Sequence, residues 1–109
     1  MKIILIFLAV FLSANSMSWA VDCNREQARL ILETMQRSYG LKYEDSGVSL
    51  HVEINGGWNG MDLDRKNQFL AMISNSDACI NNKARGIFIY SFGEKVAEAS
   101  PLFGLKVIK

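Results

Sequence analysis

The sequence predicts a small α+β domain in the order α-β-α-β-β(-β), an antiparallel sheet with two helices packed on one face. Three patterns carry that expectation. Residues 24–39 repeat apolar side chains at helical spacing, residues 48–54 alternate apolar and polar without a fault, and residues 86–92 form a β-branched and aromatic run that leads into a glycine turn. Each element has a single apolar face, so one core shared between helices and sheet is the economical arrangement.

Ahead of the first helix the chain reads as an export signal. Lys2 gives a positive start, residues 3–12 are unbroken apolar, and Ser18-Trp19-Ala20 places small residues at −3 and −1 of a cut after Ala20. The apolar run falls well short of the ~20 residues that span a bilayer. The expected organisation is a cleavable signal peptide at 1–20 and a single small domain at 21–109. No transmembrane segment is expected in the mature chain, and the location is secreted or periplasmic.

The first helix presents Ala28, Ile31, Leu32, Met35 and Tyr39 on one side, with Arg25, Arg29, Glu33 and Arg37 elsewhere. Asp22 or Asn24 can cap its start, and Gly40 stands where a left-handed stop is expected. A polar link over 42–47 follows. In the strand at 48–54, Val48, Leu50, Val52 and Ile54 face the core, while Ser49, His51 and Glu53 face water. Alternation of this kind suits a sheet covered on one side, hence antiparallel pairing.

The glycine- and asparagine-rich residues 55–60 form a loop. A second helix is expected over 62–76, capped by Asp62, with Asp64 in its first turn and Leu63, Phe69, Leu70 and Ile73 on its apolar face. Residues 81–83 turn the chain into the strand at 86–92. Gly93-Glu94 reads as a two-residue hairpin loop, residues 95–99 as the return strand, and Pro101 as its interruption. Residues 102–108 resume an apolar pattern around Gly104, as a bulged continuation or a fourth strand.

Cys23 and Cys79 both lie in the exported part, and an even count in an oxidising compartment reads as a disulfide. Antiparallel helices would bring the start of the first helix and the end of the second together. A loop of that length is worth about 4 kcal/mol in the chain-entropy model. Lipidation of Cys23 is disfavoured by Asp22 before it, and a redox pair by the absence of C-x-x-C.

Charge and motifs exclude several chemistries. Lys2 apart, basic and acidic residues are equal in number, with no basic stripe for nucleic acid. No zinc spacing is present, and no cofactor or metal is expected. The loop from Asn55 has Gly57 and Lys66 where a calcium loop needs acids, and its glycines match neither dinucleotide nor phosphate-loop spacing. His51 is the single histidine; on one strand, Ser49, His51 and Glu53 are poorly arranged for a catalytic relay.

Binding is the better expectation. Phe88, Tyr90 and Phe92 share one face of an alternating strand whose other face carries Ile87 and Ile89, so one apolar set lacks a core partner. Trp58 either folds back as a lid on the core or anchors a partner. The expected function is an exported, disulfide-stabilised interaction domain without catalysis. It binds a protein or small ligand of the cell envelope, or a second copy as a homodimer, through Phe88, Tyr90 and Phe92, joined by Trp58 and His51. The rival expectation is a small periplasmic enzyme or enzyme inhibitor using His51 with Glu53, or Asp62 with Asp64.

Overall fold

The computed structural model describes residues 23–109. The signal expected at 1–20, and therefore the division at residue 20, lie outside the described residues. Helix α1 (Arg25–Tyr39) is followed by β1 (Lys42–Asp45), β2 (Ser49–Ile54), a 3₁₀ turn at Gly56–Trp58, helix α2 (Leu63–Asn81), and strands β3 (Gly86–Ser91), β4 (Glu94–Ser100) and β5 (Gly104–Val107). The class is α+β as expected. The order is α-β-β-α-β-β-β, with one more strand before the second helix than the sequence pattern indicated.

Local chemistry accounts for the helix ends. The Asn24 side chain accepts from the Gln27 amide at 3.1 Å, and Asp62 accepts from the Arg65 amide at 2.8 Å, so each helix has a polar N-cap. Gly40 ends α1 at φ 63°. Asn82 does the same for α2 at φ 58°, so that helix runs to Asn81, five residues beyond the expected end at Ser76.

The strands lie in sequential order, β1 to β5, in one sheet. Three neighbouring pairs are antiparallel, but β2 and β3 run parallel, from Ser49 beside Gly86 to Ile54 beside Ser91. The expected all-antiparallel pairing is corrected at this point. The nineteen residues of α2, rising about 28 Å, carry the chain back to the start of β2, which is the crossover that a parallel pair needs.

The core joins Met35, Phe69, Leu70 and Ile73 of the helices to Leu50, Val52, Ile54, Ile87, Ile89, Ala97 and Ala99 of the sheet. Both helices therefore cover the same face. Trp58 is completely buried, packed edge-on against Phe69 at 5.8 Å with the Lys66 ammonium 5.4 Å from its ring centre. Val48, expected in the core, lies in the β1–β2 turn and is 83% exposed.

Cys23 and Cys79 are disulfide-bonded, with Cα atoms 5.9 Å apart. Cys79 sits inside α2 rather than after it, and the bridge ties the start of α1 to the far end of α2. No helix among the described residues is long and apolar enough to cross a membrane. The disulfide is compatible with a secreted or periplasmic protein.

Candidate functional site on the open face of the sheet

The alternation of β2 turns Leu50, Val52 and Ile54 inward and Ser49, His51 and Glu53 to the uncovered face. On β3 the isoleucines are the inward set, so Phe88 and Tyr90 stand outward beside β2. Register sets His51 next to Phe88 and Glu53 next to Tyr90. The imidazole stacks on the Tyr90 ring at 5.5 Å with an 18° interplanar angle, and meets Phe88 at 5.4 Å and 60°. The three rings form one half-buried strip across the middle of the sheet.

Two backbone features position this strip. A side chain on Gly86 would meet the Phe88 ring at 3.2 Å, so glycine there lets the ring lie down against the strand. In β4 the register shifts between Ile89 and Tyr90: Ala97 pairs Ile89, yet Lys95 pairs Tyr90. The extra residue, Val96, is buried next to buried Ala97. This bulge turns Lys95 to the outer face, where strict alternation would have turned it inward. The Lys95 ammonium then lies 5.5 Å from the Phe88 ring centre and 3.2 Å from the Glu98 carboxylate.

Charges frame the rings on both sides. On β1, Lys42 pairs with Glu53 and Glu44 with His51; on β5, Lys106 pairs with Glu98. A depression of about 540 Å³ opens between β1 and β3, lined by Lys42, Glu44, His51, Glu53 and Tyr90 among others.

Of the residues singled out from the sequence, the structure brings together His51, Phe88 and Tyr90. Phe92 is separated from them, because it occupies the hairpin turn with Gly93 rather than the strand, and is 75% exposed there. The loop is Phe92-Gly93, with both residues at positive φ, not Gly93-Glu94. Trp58 contributes no exposed surface. His51 makes ring contacts and no hydrogen bond to Ser49 or Glu53 among the described residues. The Asp62 carboxylate is engaged as a helix cap. The described residues contain no group of three or more His, Cys, Asp or Glu placed to hold a metal ion.

No protein-family model matches this chain, and neither a curated protein nor a solved structure is detectably similar to it. The site therefore rests on geometry alone.

Sequence reasoning missed β1, with Lys42 and Glu44, and it missed the roles of Gly86 and the β4 bulge. It also missed the cluster in which buried Arg85 and Asp77 are joined by exposed Asp45 at the start of β2. The one available signal was an arginine and an aspartate in a segment otherwise read as turn and helix end.

Proposed function

We propose that the chain is an exported, disulfide-stapled binding domain with no catalytic machinery of its own, and that its recognition surface is the open sheet face centred on His51, Phe88 and Tyr90. One observation carries the reading: helices cover one side of the sheet, and the other side presents a contiguous ring strip bordered by charge. Apolar centres with polar rims are the anatomy of protein-binding patches. Export is supported by the apolar run at 3–12 and the small residues before position 21, together with the disulfide. The charge balance disfavours nucleic acid as the partner.

The enzyme or inhibitor alternative has the depression beside His51 in its favour. It lacks a base held by a second group: neither His51 with Glu53 nor Asp62 with Asp64 forms a hydrogen-bonded pair among the described residues.

The test is site-specific photo-crosslinking in cells exporting the protein. A benzophenone side chain at position 88 is expected to give a discrete covalent adduct. The same group at position 30, an exposed site on α1, is expected to give none. Absence of an adduct from both position 88 and position 90 would remove the proposal.

A further inference from the structure

Resting on that reading, we infer that the occupant of the open face is a second copy of this chain, docked sheet to sheet about a two-fold axis running along β3. The argument is the order of charges across the strands. Strand register defines two outward-facing rows. One runs Lys42, Glu53, Tyr90, Lys95 from β1 to β4; the next runs Glu44, His51, Phe88, Glu98, Lys106 from β1 to β5.

A two-fold axis lying between two such sheets along β3 exchanges β2 with β4 and β1 with β5. Glu53 then faces Lys95 of the other copy, Glu44 faces Lys106, and His51 faces Glu98. Phe88 and Tyr90 lie on the axis and meet their own counterparts. Every acid in the two rows meets a base or the imidazole, and only Lys42 has no opposite number. Isologous interfaces require this self-complementarity, because each contact occurs twice.

An axis along β2 serves less well, since it sets Lys42 against Tyr90, Glu44 against Phe88 and Glu53 against its own copy. An axis across the strands matches charge as fully, setting Lys42 against Glu44, Glu53 against His51 and Lys95 against Glu98 with Lys106 alone, and it too places the rings at the centre. The axis along β3 is preferred because Lys95 and Glu98 already pair within each copy at 3.2 Å, and exchanging the charges of Glu53 and Lys95 restores opposite charges about that axis alone.

Five strands at a spacing of about 4.8 Å give a face roughly 20 Å wide. Its area falls short of the ~800 Å² per partner of a standard interface, so the dimer is transient and concentration-dependent. Steering by rim charges makes it weaken with salt.

Sedimentation equilibrium of the oxidised domain tests the inference, with circular dichroism confirming the fold of each variant. Glu53→Lys alone and Lys95→Glu alone are each expected to weaken dimerisation about tenfold or more. The combined Glu53→Lys/Lys95→Glu variant restores opposite charges across the axis and is expected to return to within about threefold of the parent. A monomer at millimolar concentration, or a double variant no better than the singles, overturns the inference. The crosslinked adduct separates the two levels of failure. Twice the chain's own mass supports both, a different mass overturns self-association while leaving the binding face standing, and no adduct removes both.

Discussion

Arg85 holds Asp77 through two parallel hydrogen bonds, Nε to Oδ2 and Nη2 to Oδ1, each 2.8 Å long. The outer edge of the same guanidinium donates to Asp45, from Nη1 to Oδ1 at 2.7 Å and from Nη2 to Oδ2 at 3.0 Å, and Nη1 also reaches the Gly47 carbonyl at 3.2 Å. Every N–H of the group thus has an acceptor. The Asn81 amide completes the cluster by donating to Asp77 Oδ1 at 3.1 Å. Hydrogen bonds donated to Asp77 first, and then to Asp45, hold the guanidinium well above its ordinary pKa. This one side chain fastens the end of α2, the β1–β2 turn and the entry to β3, where the parallel pairing begins.

Removing Arg85 leaves the Asp77 carboxylate buried without its counter-charge. Arg85→Ala is therefore expected to cost about 3 kcal/mol of stability, read by urea unfolding. Arg85→Lys is expected to recover little of it, since a single ammonium cannot serve two carboxylates side-on. A loss below about 1 kcal/mol would show that the cluster is not a major fastening.

Asp45 gives the fold an acid-sensitive limb. The Arg85 hydrogen bond first, then the Gly47 amide, lowers its pKa from 3.8 to about 2. The folded state therefore binds this proton less readily than the unfolded chain does. The stabilisation is fully present above the unfolded value and is lost as pH falls toward the folded one, between about pH 4 and pH 2. Thermal melts of Asp45→Asn are expected to start lower at neutral pH and to fall less steeply across that window. Parallel curves for parent and variant would contradict the assignment.

The elements that were legible in the sequence are those whose pattern is local. Val52 and Ile54 alternate with His51 and Glu53 on one strand, and Asn24, Gly40 and Asp62 mark helix ends without help from elsewhere. Strand β1 was hidden because Lys42, Glu44 and Asp45 are exposed and Tyr43 alone turns inward, its hydroxyl donating to the Leu32 carbonyl at 2.8 Å. A charged edge strand of this sort resists further pairing, and its sequence reads as a linker. The last turns of α2 were hidden for a different reason. Ser76 and Asp77 are polar yet buried, and Asp77 is compensated by Arg85, a residue outside the helix. The ring strip was half legible. Phe88 and Tyr90 follow from alternation, but their neighbour His51 depends on a parallel register set by the crossover, and Lys95 depends on a bulge with no sequence mark.

Reduction of the Cys23–Cys79 bridge opens a loop with a sequence separation of 56, and the chain-entropy model assigns this a loss of about 4 kcal/mol. The loss should be uneven along the chain. Helix α1 packs on α2 and is tied to β1 through the Tyr43 hydroxyl, whereas β2 and β3 sit in the middle of the sheet. Amide exchange is expected to rise first in α1 on reduction, with β2 and β3 remaining protected. Uniform loss of protection would mean that the bridge supports the whole fold rather than one helix.

Phe92 occupies a backbone conformation that aromatic side chains rarely adopt. It stands at φ 53° with Gly93 at φ 80°, so the hairpin turn demands two left-handed residues in succession. Asparagine tolerates that region far better than phenylalanine, and the Phe92 ring is largely in solvent, so Phe92→Asn is expected to stabilise the domain by about 0.5–1 kcal/mol. The opposing contribution is contact with Gly56, where an added methyl would stand 3.7 Å from the Phe92 ring. The sign of the change in urea midpoint decides between them. A gain identifies Phe92 as a strained residue whose exposed ring adds nothing to folding. A loss shows instead that the ring, lying against the loop over the core, stabilises the turn more than its backbone strain costs.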